Sequence, residues 1–402
     1  MKRALRSRLR SRNDRRGVAL MMVIAALMIL IVLTTDITFG ARVRLLAAEH
    51  EKQETQSYYL AQSGISIYRL VLTGNKLLNK QMKSLGPSVA AFLPAGLNDI
   101  LWAMVPFVNT GLLRMLLVSG GDVDEEDVED YKQTGQVSDE VAEASKEEGG
   151  GVFSGRNFLD FEGDFSVESQ GEDCRINVNS FSTLASGAAI QDTPTGQMLY
   201  GLLSGDENDA FLRERDLDKW VLIGNLADWV DADNLSSTGR GGYEDDLYNR
   251  LESPYLAKNA RFETPDEIRL VDGWQDDIYD RFAKSLTIYG SGKVNINCAD
   301  DAVVAGLLNT YVTAGDANLS ARILEQMREY MAISAFKDGK DFSEWLKTMG
   351  YAPGDQLAAQ ISTSTTYFTL TSTGQSGDAS VKITAVLEYK NDIGKVLYWR
   401  VD

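Results

Sequence analysis

The sequence predicts an α+β protein: a long N-terminal helix and an antiparallel sheet that is split by a large helical insert. Three observations predict it. A basic leader runs into an apolar stretch, Val18 to Leu33, and the helical pattern continues to about Leu72. Period-two alternation marks strands between Phe161 and Val178 and again over the last forty residues. Between these strands, from about Thr195 to Ala359, apolar residues recur at helical spacing.

The first element sets the topology. Lys2, Arg3, Arg6, Arg8, Arg10, Arg12, Arg15 and Arg16 precede Gly17, and Val18 opens the apolar run. A run of about 16 to 20 apolar residues is long enough to cross a bilayer as a helix. The arginines stay on the cytoplasmic side, which puts everything after Asp36 outside the cytoplasm. A helix from Val18 to Leu72 would be roughly 80 Å long. Its second half includes Gln56 to Ile65, a stretch with Ala61 and Gly64 that suits close packing on a sheet. On these residues alone the stretch reads as a plain signal anchor or a cleaved secretory signal.

Composition narrows the chemistry. A chain of 402 residues implies two or three domains. Net charge is −18, and the first 17 residues hold eight basic groups against Asp14, a net +7, so the remainder carries −25. So acidic a body repels nucleic acid and anionic lipid, and it favours solubility or divalent cations. His50 is the only histidine and lies just past the apolar run, so histidine-based nucleophilic catalysis is excluded from the bulk of the chain. Cys174 and Cys298 cannot build a four-ligand zinc site. In an oxidising compartment they can form one disulfide, and two buried free thiols are the other reading.

From Thr73 to Gly121, apolar bursts broken by Pro87, Pro94 and Pro106 predict short helices. They read as a subdomain packed on the head or as an exposed surface for a partner. Asp122 to Asp130 is a run of acids, and Gly149 to Gly151 closes a segment read as a solvated linker. Strands follow, with Gln170 to Asp173 as a turn and Asn177 and Asn179 ending the second strand. Helices return around Leu199 to Leu203 and Trp220 to Trp229.

The best candidate site comes next. Asp228, Asp231 and Asp233 precede a Gly-rich loop, Gly239 to Gly242, and Glu244, Asp245 and Asp246 follow it. Hard oxygen ligands around a flexible loop suit calcium. The spacing is not that of an EF-hand. A paired-carboxylate hydrolase and a solvated acidic loop are the competing readings.

Thr264, Pro265 and Glu267 look like a helix start with a capping box, and Gly273 like a stop. With the helix through Ile278 and Phe282 they form a helix-hairpin-helix-like unit. Its acids, Asp272, Asp276, Asp277 and Asp280, disfavour DNA and favour packing within protein. Leu286 to Tyr289 and Val294 to Cys298 read as a strand pair around Gly290-Ser291-Gly292. Tyr367 to Thr373, Ala379 to Tyr389 and Val396 to Val401 are the closing strands, joined by turns.

Several of these motifs, in this order, resemble the K-type minor pseudopilins of type II secretion systems. They are the leader ending at Gly17, Tyr58-Tyr59-Leu60-Ala61-Gln62-Ser63-Gly64, Arg175-Ile176-Asn177-Val178-Asn179, Ala227-Asp228-Trp229-Val230-Asp231-Ala232-Asp233, Gly242-Tyr243-Glu244-Asp245-Asp246, Leu270-Val271-Asp272-Gly273 and Val294-Asn295-Ile296-Asn297. The resemblance covers most of the chain outside about Leu77 to Phe153. It implies a type IV pilin-like fold with a large α-domain inserted in the sheet.

The implied divisions are a prepilin leader at 1–17 and a spine helix with membrane and periplasmic halves at 18–40 and 41–75. A family-atypical insertion and acidic linker then span 76–151, the first strands 152–180, the α-domain 181–362 and the last strands 363–402. The resemblance further implies a non-enzymatic subunit at the tip of a periplasmic pseudopilus, cut by prepilin peptidase between Gly17 and Val18. It would stand with I-type and J-type minor pseudopilins, the major pseudopilin and the inner-membrane secretion platform. Calcium is expected on the acidic cluster. Most pilins carry glutamate at the fifth mature position, where this chain has Met22. That departure fits the K-type subfamily. A membrane-anchored carboxylate hydrolase and a minor pilin of a related type IV pilus system are the alternatives.

Overall fold

The computed structural model describes residues 2–84, 102, 105, 107–111, 113, 162–185, 188–238, 242–312, 319–390 and 394–402. The acidic run at Asp122 to Asp130, the glycines at 149–151 and Gly239 to Gly241 lie outside them.

Helix α1, Lys2–Ser84, is continuous and about 125 Å long at 1.5 Å per residue. Its Gly17–Leu77 stretch is long and apolar enough, by length and composition, to cross a membrane. Apolar side chains from Val18 to Leu46 are exposed. Further along, Ser57, Ala61, Ile65, Tyr68 and Leu72 are buried, and their three- and four-residue spacing makes one helical face.

That face lies on an antiparallel sheet with strand order β1 (Phe107–Asn109), β2 (Asp164–Gly171), β7 (Tyr367–Ser376), β8 (Ala379–Glu388), β9 (Lys395–Val401). A Cβ placed on Gly64 would come within 2.4 Å of Ser372 Oγ, and one on Gly374 within 2.0 Å of Ser57 O. Glycine on both sides is therefore what lets helix and strand approach. Tyr68 anchors the contact: its hydroxyl donates towards the carbonyls of Val105 (2.8 Å) and Trp102 (3.2 Å) and pairs with Ser169. Burial pushes that phenol up to about 12.

Residues 172–366 leave the sheet between β2 and β7 and form the helical insert, with short strands β3 (Ile176–Asn177), β4 (Leu286–Thr287), β5 (Val294–Asn295) and β6 (Ile361–Ser362). Its helices are α2 (Pro194–Leu202), α3 (Asp206–Arg213), α4 (Lys219–Val230), α5 (Asp245–Tyr248), α6 (Asp276–Phe282), α7 (Asp301–Tyr311), α8 (Leu319–Met331), α9 (Gly339–Thr348) and α10 (Leu357–Gln360). Insert and sheet have separate apolar cores. The arrangement is the expected type IV pilin-like one: a spine helix, an antiparallel sheet, and a helical domain inserted in that sheet.

The neck between the two is polar and covalent. Buried Glu172 accepts from the hydroxyls of Thr287 and Thr369. Buried Asp173 accepts from the amides of Thr366 (2.7 Å), Tyr367 (3.1 Å) and Ser291 (3.2 Å). Cys174 and Cys298 are joined in a disulfide.

Four local expectations are corrected. Leu286 to Tyr289 and Val294 to Cys298 do not pair with each other: β4 pairs in parallel with β3, and β5 with β6. Gly290 and Gly292, both at positive φ, redirect the chain between two separate bridges. Residues Pro265–Leu270 form a 3-10 helix, and Thr264 makes no side-chain cap. Glu267 instead takes the amide of Glu263 at 2.8 Å and pairs with Lys258 at 2.7 Å. Phe107–Asn109, in a stretch read as short helices, is an edge strand on β2. Gln170 and Gly171 belong to β2, and the turn is the 3-10 step Glu172–Cys174.

Candidate metal centre

Helix α4 starts cleanly, because the carboxylate of Asp218 accepts from the Val221 amide at 3.1 Å. Its far end carries the site. Asp228 sits in the last turn and Asp231 is the C-cap, its amide donating to Ala227 O at 2.9 Å. Spaced by three, the two carboxylates stand on one side of the helix end. This is an unfavourable place for acids, since the last carbonyls already carry partial negative charge.

The chain then turns back. Leu235 and Tyr243 form an antiparallel bridge, Ser236 N donates to Gly242 O at 3.2 Å, and Glu244 N donates to Asn234 O at 3.4 Å. Gly242, at φ +107, serves the return. The bridge delivers Glu244 to the two aspartates. Asp228, Asp231 and Glu244 are 2%, 5% and 1% exposed, and one carboxylate oxygen from each lies within 4.8 Å of the others. Calcium–oxygen bonds are about 2.4 Å, so a single ion can touch all three.

The hydrogen bonding around these groups is incomplete. Asp228 Oδ1 accepts from Ser237 N at 2.8 Å. Asp228 Oδ2, Asp231 Oδ1 and both oxygens of Glu244 are buried without a hydrogen-bond partner. Burial, with the charges of Asp228, Asp231, Asp233 and Asp245 behind it, pushes Glu244 up to about 8. Burial and the neighbouring Asp233 and Asp228 push Asp231 up to about 6. Asp228 is also raised, chiefly by burial. Three buried like charges need either protons or a cation. An all-carboxylate donor set selects a hard ion.

Of the six acids singled out in the sequence, the triad therefore takes Asp228, Asp231 and Glu244. Asp233 stands at its edge and accepts from Leu235 N at 2.8 Å. Asp245 and Asp246 are outside the triad: they take the amides of Ala257 (3.0 Å) and Tyr243 (3.3 Å) and so shape the loop. Trp229, next to Asp228 in the chain, packs against Tyr248 (5.3 Å), Tyr255 and Phe262. Gly17, Val18 and Met22 lie far from it along α1, in unbroken helix, with Val18 and Met22 exposed. Buried Glu172 and Asp173, read from sequence only as a turn, prove to be the neck's hydrogen-bond hub.

Residues 174–291, which contain the triad, match the family model described as type II secretion system (T2SS), protein K. The matched segment runs from Cys174 of the neck disulfide to Ser291, whose amide Asp173 accepts. Two curated relatives carry the description "Type II secretion system protein K". One, from Pectobacterium carotovorum subsp. carotovorum, is 32% identical over 102 residues, 25% of this chain and 27% of the relative. The other, from Aeromonas hydrophila, is 25% identical over 194 residues, 48% of this chain and 56% of the relative. The chain thus spans between about a quarter and just over half of the length of these relatives. A solved structure of the GspK-GspI-GspJ complex from the enterotoxigenic Escherichia coli type 2 secretion system matches 60% of this chain and 80% of its own, at 19% identity and a TM-score of 0.45.

Proposed function

We propose that this chain is a non-enzymatic minor pseudopilin of a type II secretion system. It stands at the tip of the pseudopilus, starts assembly with I-type and J-type partners, and so supports export of folded proteins across the outer membrane. The observation that carries this reading is the protein K domain inserted into a sheet that a helix of membrane-spanning length covers. The major pseudopilin, the inner-membrane platform and prepilin peptidase complete its partners. The chain is held in the inner membrane with its N-terminus cytoplasmic and its bulk periplasmic. A tip subunit has no neighbour above it, and Met22 avoids burying an unpaired carboxylate there.

The triad is read as a structural calcium site. Asp228, Asp231 and Glu244 would hold the ion, which would neutralise them and tie the end of α4 to the return of the loop. A hydrolase has little support in this geometry, because carboxylates this buried offer no access to a substrate.

The test is the mass of the N-terminal peptide recovered from the membrane fraction. A peptide beginning at Val18 is expected. One beginning at Met1, or past the apolar run, would replace the pseudopilus subunit with a plain anchor or a released protein.

A further inference from the structure

The return loop that carries Glu244 inward also carries apolar side chains outward. Leu235 and Tyr243 are directly opposed in their antiparallel bridge, so the two side chains share a face. They are 58% and 64% exposed. Short helical turns follow: Asp246 N donates to Tyr243 O (3.1 Å), Leu247 N to Glu244 O (3.2 Å) and Leu251 N to Tyr248 O (3.3 Å). Side chains four apart on such turns lie one above the other. Tyr243, Leu247 and Leu251 therefore line the outer side, all exposed, while Glu244 and Tyr248 are buried on the inner side. Exposed Leu256 is drawn to the same turns, because the amide of its neighbour Ala257 donates to Asp245 at 3.0 Å. A single exposed leucine is ordinary on a protein surface. A contiguous apolar row rimmed by charge marks an interaction surface.

The charge around the row says what fits it. Asp233, Asp246 and Glu252 neighbour these residues in the chain, against Arg250. The bias extends over this part of the insert. Residues 192–291 hold 21 acidic and 10 basic side chains, whereas residues 292–362 hold 9 and 6. An ion in the triad would neutralise buried carboxylates and leave the rim acidic. Such a field repels nucleic acid, anionic lipid and acidic protein surfaces. It opposes a second copy of this chain on the same row, because that would set acid against acid. A cationic protein segment has the complementary potential, and its apolar side chains would cover the row.

We propose that the outer row of the return loop docks a cationic amphipathic segment of a partner protein. Its apolar side chains pack on Leu235, Tyr243 and Leu247, and its lysines or arginines meet Asp233, Asp246 and Glu252. Tyr243 is the anchor, since tyrosine at the centre of an apolar patch with a charged rim is the usual energetic focus of an interface. The surface belongs to the insert alone and goes beyond the subunit's proposed place in a pseudopilus.

The test holds the full-length chain in phosphatidylcholine nanodiscs. A benzophenone photo-crosslinker replaces Tyr243, and in a control it replaces Ile333, which is 81% exposed elsewhere on the insert. The probes are two amphipathic peptides, one of Leu and Lys and one of Leu and Glu. Saturable crosslinking of the Leu/Lys peptide from position 243 is expected, with none from 333 and none of the Leu/Glu peptide from either. Adding Leu235→Ser should raise the half-saturating peptide concentration about tenfold while leaving thermal melting unchanged. Equal crosslinking from 243 and 333 would reduce the effect to the attraction of any acidic protein for a cation, and would overturn the inference. So would equal capture of the Leu/Glu peptide, a Leu235→Ser chain that behaves as its parent, or crosslinks from 243 that stay within this chain. The site of N-terminal cleavage moves none of these readings, so failure here is distinct from failure of the function proposed above.

Discussion

Two stretches of the insert spell the same pattern, Ile176-Asn177-Val178-Asn179 and Val294-Asn295-Ile296-Asn297, and use it in the same way. In each, the first asparagine side chain accepts the amide of the second, at 3.0 Å from Asn179 and 3.1 Å from Asn297. In each, the second asparagine clamps a distant phenylalanine. Asn179 accepts from Phe262 N (2.8 Å) and donates to Phe262 O (3.0 Å). Asn297 accepts from Phe336 N (2.9 Å) and donates to Phe336 O (2.9 Å). The difference lies in what each clamp encloses. The first closes over 83 residues and the second over 39. The shorter connection closes on an aromatic core of Phe336, Phe342, Trp345 and Tyr330. The longer one contains α4, the return loop and the carboxylate triad. The return loop is the longer connection's own, and an ion held by the triad would tie that loop to the end of α4.

The comparison breaks first at the clamps. Asn179→Ala and Asn297→Ala should each destabilise the chain by about 3 kcal/mol, because each strands buried main-chain groups that no water can reach. Urea unfolding of the two variants checks this. A cost below about 1 kcal/mol for either would mean that the shared pattern is coincidence rather than a shared clamp.

A metal titration sharpens it next. Calcium at a hundred times its dissociation constant should stabilise the chain by about 2.7 kcal/mol, and Glu244→Gln should abolish that gain. Glu244→Gln should cost little in chelator, since the metal-free Glu244 carboxyl holds its proton to about pH 8 and glutamine is its neutral counterpart. Hydrogen exchange locates the effect. Protection should rise over residues 231–247, in the longer connection, and not over α8 and α9. An equal rise in both lobes would sink the idea that the ion staples only the first.

Much of this frame was legible in the sequence, for definite reasons. The spine helix and β7 to β9 follow from periodicity, which a half-buried helix or sheet cannot avoid. The acidic cluster stood out because acids so close together are costly. The sequence could not say which of its six acids converge, since that depends on the Leu235–Tyr243 bridge turning Glu244 inward while Asp245 and Asp246 serve loop amides. Nor could it place β3 to β6. Two-residue strands carry no period, and the partners of Asn177 and Asn295 lie far along the chain. The equivalence of the two asparagine motifs was visible as letters, but the clamps needed Phe262 and Phe336 in space. The neck was hidden for the same reason, because Glu172 and Asp173 look like any turn until Thr369, Thr366 and Tyr367 close on them.

The finest distinction between the lobes is their response to pH. With calcium removed, Glu244 holds its proton to about pH 8 and Asp231 to about pH 6, whereas unfolded carboxyls release theirs near pH 4. Between those limits the folded chain binds more protons than the unfolded one. The stability of the metal-free chain is therefore complete near pH 4 and declines as pH rises through 6 to 8. Water entering the loop screens the effect, which leaves on the order of 1 kcal/mol across pH 5 to 8. Calcium reverses the sign, because it binds the ionised carboxylates and competes with their protons, so its stabilisation grows with pH. Thermal melts at pH 5, 6, 7 and 8, with chelator and with calcium, should diverge steadily as pH rises. In Glu244→Gln most of the divergence should vanish. Parallel curves would mean that the three carboxylates are solvated in the metal-free chain, and that the first lobe is held, like the second, by its clamp and core alone.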